Sequence, residues 1–139
     1  MKEAGLVIGL NNEVVYEFTP PQRSSSYLPD KVAKWDVSVE ESPSLWHVLW
    51  RHRDSLAGFA HSHPGSGKPF PSVTDLTTFH AVERGLGRRL KWWIASSSNL
   101  VLIEWEDDPK IDEWGGSYWS ESVQEPHWTT RLRELSALQ

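Results

Sequence analysis

Hydrophobic and polar positions divide the chain into short units whose periods alternate between two and about 3.6 residues. Residues 4–10 (Ala-Gly-Leu-Val-Ile-Gly-Leu) are a nearly continuous apolar run, as a buried strand carries. Asn11-Asn12 follows as a hairpin turn, because asparagine tolerates positive φ, and residues 13–18 return as a second strand. Residues 19–30 hold three prolines and three serines and read as a loop. From 33 to 40 the alternation is unbroken. Ala33, Trp35, Val37 and Val39 are apolar, and Lys34, Asp36, Ser38 and Glu40 are polar, which predicts a strand with one buried face. Ser42-Pro43 then reads as an N-cap followed by proline in the first helical position. Leu45, Trp46, Leu49 and Trp50 share one side of that helix, which is expected to end near Asp54. Residues 56–63 form another strand, stopped by Pro64.

Residues 64–71, with three prolines and two glycines, predict a loop that forms a mobile rim. Leu76, Phe79, Val82 and Leu86, at three- and four-residue spacing, predict a helix over 73–86 that Gly85 and Gly87 bring to an end. Residues 90–96 and 100–106 read as a hairpin across Ser97-Ser98-Asn99. Residues 107–126 are acidic and irregular, with Gly115-Gly116 inside, and Trp128, Leu132, Leu135 and Leu138 mark a terminal helix. With no internal repeat and no composition shift, residues 1–139 are expected to form one domain. The alternation of strands and helices predicts an α/β sandwich built on a mixed sheet.

Composition narrows the function classes. With 38% hydrophobic and 24% charged residues a folded chain is expected, and the nine tryptophans are expected mainly to pack its core. The chain lacks cysteine, which excludes disulfides, thiolate zinc sites and a cysteine nucleophile. Net charge is −5, and the only basic cluster is Arg84, Arg88, Arg89 and Lys91 at a predicted helix end, where cations complement the helix dipole. Neither nucleic acid nor membrane is therefore an expected partner. The N-terminus reads as a strand rather than a signal peptide, so a cytoplasmic location is the default expectation.

Chemistry concentrates in His61-Ser62-His63-Pro64 and Ser72-Val73-Thr74-Asp75. On a strand His61 and His63 point to one face and can bind one metal ion. Asp75 arrives twelve residues later, in the first turn of the predicted helix. Ser72-x-x-Asp75 also fits a capping box, and the roles are compatible, because the serine oxygen can accept a backbone N–H while its own O–H is donated elsewhere. His47, His52 and His127 are expected in surface or packing roles, and His80, five residues after Asp75, faces another side of its helix. Gly65-Ser66-Gly67-Lys68 lacks the spacing of a phosphate loop.

The whole pattern is His-x-His-Pro, seven residues, Ser, two residues, Asp. It resembles the signature of the JAMM (MPN+) zinc metalloprotease family in residue type and spacing, and the single-domain length looks like that of prokaryotic members. The resemblance implies a three-layer MPN sandwich, similar to cytidine deaminases, with a mixed sheet and flanking helices. It implies Zn2+ held by His61, His63 and Asp75, with Ser72 as the oxyanion-side hydroxyl. The family's general base is a glutamate in a Glu-x-Gly-x-x-x-Gly-like stretch of the first strand, which Glu3-Ala4-Gly5-Leu6-Val7-Ile8-Gly9 matches. Glu3 is therefore the expected base, with Glu13 and Glu17 as weaker candidates. Members carry a helix before this glutamate, whereas two residues precede it here, so the C-terminal helix is the candidate cover for that side of the sheet.

The implied activity is cleavage after the C-terminal Gly of ubiquitin or a ubiquitin-like protein, in deconjugation or maturation. The implied partners are that protein or its conjugates, with activating and conjugating enzymes of the same pathway. A tail could add as a strand to a sheet edge. Glu104, Glu106, Asp107 and Asp108 either attract such a tail or simply form a solvated face. The alternatives are a non-catalytic MPN scaffold and a zinc hydrolase of small amides or ordinary peptides.

Overall fold

A computed structural model of the chain describes residues 3–18, 43–105 and 118–136. Among the described residues six strands form one sheet in the order β2-β1-β3-β4-β5-β6. They are β1 (Gly5–Gly9), β2 (Val14–Phe18), β3 (Leu56–Ser62), β4 (Lys91–Ala95), β5 (Leu100–Trp105) and β6 (Tyr118–Ser122). Three helices accompany them among the described residues: α1 (Pro43–Arg51), α2 (Val73–Leu86) and α3 (Trp128–Ser136). None of them is long and apolar enough to cross a membrane.

The β3–β4 pair is parallel, and the other four pairs are antiparallel. A parallel pair needs a crossover, and α2 supplies it. That helix starts at the site end of β3 and ends at Gly87, whose φ of 74° is the left-handed conformation that glycine adopts without cost. Gly58 of β3 is needed for another reason: a Cβ there would lie 1.9 Å from the Lys91 carbonyl oxygen of β4.

Alternation along the strands separates two cores. Val7, Phe59, Trp92, Ile94, Val101 and Ile103 face α1 and α2, where they meet Leu45, Leu49, Phe79 and Val82. Leu6, Ile8, Ala60, Trp93, Ala95, Leu100 and Leu102 face α3, where they meet Trp128 and Leu132. Helices thus cover both faces of a mixed sheet, which is the expected three-layer α/β, MPN-like sandwich. A bulge between Ile8 and Gly9, opposite Leu56–Gly58, resets the alternation, so Leu56 and Phe59 reach the same core. Phe79 stacks on Trp92 at 4.1 Å between ring centroids, and Trp93 meets Trp128 edge-on at 5.2 Å.

Several expectations change. Helix α1 ends at Arg51 rather than near Asp54, and residues 52–55 continue as turns, with the His52 N–H still donating to the Val48 carbonyl. Trp50 is 46% exposed instead of packed, and the Arg53 guanidinium lies 4.3 Å from its ring centre. Part of the irregular stretch 107–126 is β6, which pairs with β5 through Val101–Trp105. The arginines after α2 do more than complement its dipole. Arg89 pairs with fully buried Glu83 at 2.9 Å, and Arg88 donates to the Arg53 carbonyl at 2.6 Å. The predicted strand 33–40, Leu138, and Glu106, Asp107 and Asp108 lie outside the described residues.

Candidate metal centre

Strand β3 is a near-continuous apolar segment that ends in His61-Ser62, with His63 directly after it. Alternation puts His61 on the α1/α2 face with Phe59 and turns Ser62 toward α3. The His63 N–H donates to the Ala95 carbonyl at 2.8 Å, which extends the β3–β4 ladder one residue and fixes the second histidine. Pro64 then ends the strand. Gly65 and Ser66 of the following loop are tied to the β4–β5 turn, the Ser97 N–H donating to the Gly65 carbonyl and the Asn99 side-chain amide to the Ser66 carbonyl. The near end of the expected mobile rim is therefore anchored.

Asp75 comes from the first turn of α2, and its position follows from the capping box. The Asp75 N–H donates to Ser72 Oγ at 3.0 Å, and the Ser72 N–H donates to Asp75 Oδ2 at 2.9 Å. The helix start thereby aims a carboxylate at the end of β3. His63 Nε2 lies 2.9 Å from Asp75 Oδ2, His61 Nε2 lies 3.3 Å from Asp75 Oδ1, and the two Nε2 atoms are 3.1 Å apart. His61 is fully buried, Asp75 nearly so, and His63 half-buried toward the solvent side.

Burial pushes the His61 imidazole below the ordinary histidine range, over the opposing pull of Asp75, so it is held neutral. Burial alone would raise the Asp75 carboxyl. Hydrogen bonds from both histidines and from the Ser72 N–H outweigh it and hold Asp75 well below the usual carboxylate range. The result is one carboxylate and two imidazole nitrogens converging on one point, with lone pairs that only a proton or a cation can reconcile. Two nitrogens and one oxygen are also the donor set of a three-ligand zinc site that keeps a position open. Ligands about 2.0–2.1 Å from a tetrahedral zinc lie roughly 3.3 Å apart, a few tenths from the spacing here. The residues fit a metal ion, and they are the only such group among the described residues.

Glu3 lies just before β1 and is half-buried. Gly5 pairs with His61, and the Ser62 N–H donates to the Ala4 carbonyl. Continued by one residue, this register sets Glu3 beside His63, on the face of Gly5 and His61. The weaker base candidates are elsewhere. Glu13 closes the turn at the far end of β1, and Glu17 of β2 is paired with Arg131. His47 and His127 are exposed, and His80 is buried on α2 outside the cluster. Ser62 is the residue near the site whose part was not foreseen. The signal for it is a hydroxyl at a strand position that alternation turns away from the two histidines.

A mixed sheet wrapped by helices on both faces, with a His-His-Asp group at the end of its parallel pair, is the plan of an α/β domain with a candidate metal centre. The family profile for prokaryotic homologs of the JAB domain matches residues 3–114, beginning at Glu3 and ending before β6 and α3. The chain belongs to that family. No curated protein matches it.

Proposed function

We propose that the protein is a zinc-dependent isopeptidase or peptidase that cleaves after the C-terminal Gly of ubiquitin or a ubiquitin-like protein. The observation that carries this reading is the convergence of His61, His63 and Asp75 beside the strand that brings in Glu3. Zinc bound there would supply a Lewis acid that acidifies water and polarises a carbonyl. Glu3 accepts the proton of the attacking water and later returns it to the leaving amine. The Ser72 oxygen is engaged as the α2 cap, which leaves its O–H to stabilise charge developing on the substrate carbonyl oxygen. The capping box orients Asp75, and the β3–β4 ladder orients His63. A tail ending in glycine suits such a site, because it lets a substrate backbone approach closely.

The test is cleavage of ubiquitin-like proteins fused through their terminal Gly to a fluorescent reporter, by protein with measured zinc content. The expected products end in Gly, a free tail peptide competes, and a zinc chelator stops the reaction. No turnover at full zinc occupancy would leave the scaffold reading, and equal cleavage of unrelated peptides would leave the general peptidase reading.

A further inference from the structure

The last rung between β1 and β3 is not made by backbone alone. The Ser62 N–H donates to the Ala4 carbonyl at 3.0 Å, but the Ala4 N–H donates to the Ser62 side-chain oxygen at 2.9 Å. The Ser136 hydroxyl, from the last turn of α3, lies 2.6 Å from that same Ser62 oxygen and 2.7 Å from the Leu132 carbonyl. Ala4, Ser62 and Ser136 are all essentially buried. The Ser62 O–H has two acceptors within reach, Ser136 Oγ and, at 3.5 Å, the Ala4 carbonyl; given to Ser136 Oγ, the shorter contact, it leaves the Ser136 O–H for the Leu132 carbonyl, and every group is satisfied.

This chain of hydroxyls runs on the α3 side of the sheet, directly beneath the site. Alternation sends Ala4 and Ser62 down while Glu3, His61 and His63 belong to the opposite face. Helix α3 is also fastened at other points. Trp128 Nε1 donates to Asn12 Oδ1, Arg131 pairs with Glu17, and Arg133 donates to the Ser96 carbonyl. Both hydroxyls are buried, so each must be kept hydrogen-bonded, and the contacts above do so.

We propose that Ser136, acting through Ser62, is a positioning residue that holds the start of β1 and so fixes Glu3 against the metal centre. The inference rests on the role proposed above for Glu3. Ser62 lies within the span matched by the family profile, and Ser136, in α3, lies beyond it.

The experiment follows backbone amide exchange by NMR in Ser136→Ala, Ser62→Ala and the double variant, with Arg131→Ala as a control that cuts α3 from β2 only. Exchange at Ala4 and Gly5 is expected to rise about tenfold or more in both single variants, while Trp92 and Ile94 of β4 stay protected. The double variant should be no worse than the worse single one, because the two hydroxyls act as one unit. Co2+, titrated alone and followed by its absorption, should bind all variants with similar affinity. With the Gly-linked reporter fusion, Ser136→Ala should lower kcat and leave KM unchanged, and Arg131→Ala should change neither. Unchanged exchange at Ala4 and Gly5, equal acceleration throughout β4, or faster local exchange with full kcat would each overturn the proposal. If wild-type protein cleaves no fusion, the functional reading fails, and the exchange and Co2+ results still decide whether the clasp exists.

Discussion

Ser72 accepts the Asp75 N–H through its oxygen and keeps its own O–H to give away. Substitution separates the two. Ser72→Ala is expected to cost roughly 1 kcal/mol of stability through the lost cap, whereas Ser72→Gly costs only about a few tenths. Both remove the donor, so kcat should fall about a hundredfold or more in each, and calorimetry beside kinetics distinguishes cap from chemistry. Asp75→Asn keeps the shape and can still accept the Ser72 N–H, but it removes the charge. Zinc affinity should drop by more than the roughly 10–100-fold that loss of an outer partner costs, read by competition with a chromogenic chelator. His61 gives a pH signature in the metal-free protein. Burial sets its folded value below the unfolded one, so its contribution is whole above about 6.5 and is lost as pH falls toward the lower folded value. Urea midpoints should therefore fall from pH 7 to pH 5, and added zinc should restore less at pH 5, where protons compete for the imidazoles. Strand alternation and a helix-cap spacing, both local rules, made the shared face of the histidines and the capping box legible in the sequence, and the resemblance to the JAMM signature supplied the roles. Ser62 was not legible in this way, because its partners, Ala4 and Ser136, are 58 and 74 residues away.

At the scale of elements, the end of α2 depends on Glu83, which sequence pattern passes over as one more helix acid. It is fully buried, and its carboxylate receives Arg89, the Leu90 N–H and the Trp92 indole N–H. Glu83→Ala removes the buried acceptor that those three donors share and should cost about 3 kcal/mol or more, visible as a lower denaturant midpoint. Helix α3 is held partly by ion pairs at the surface. Glu125 sits below the ordinary carboxylate range because Arg133 hydrogen-bonds it. Its contribution is therefore present above the unfolded value and lost as pH falls through the depressed folded one. The stability gap between wild type and Glu125→Gln should be small, screened by salt, complete at pH 6 and closed in strong acid. The boundaries of α2 could be read from Ser72, Asp75 and Gly87, which act within a few residues. Strand β6 could not. Tyr118–Ser122 has a weak apolar pattern, and what makes it a strand is an edge of β5 to pair with.

For the whole molecule, alternating periods sufficed for an α/β sandwich, and the parallel β3–β4 pair follows from one helix between two strands. The strand order did not follow, since β1 enters between β2 and β3 through contacts distant in sequence. In the function proposed here that insertion matters most, because β1 pairs Gly5 with His61, and the same register continued by two residues brings Glu3 to the end of β3 where His61, His63 and Asp75 meet. The most direct test is reporter cleavage by Glu3→Gln at zinc occupancy matched to wild type. A general base at Glu3 predicts unchanged zinc binding with kcat lower by about a hundredfold or more. Undiminished cleavage by Glu3→Gln would contradict it.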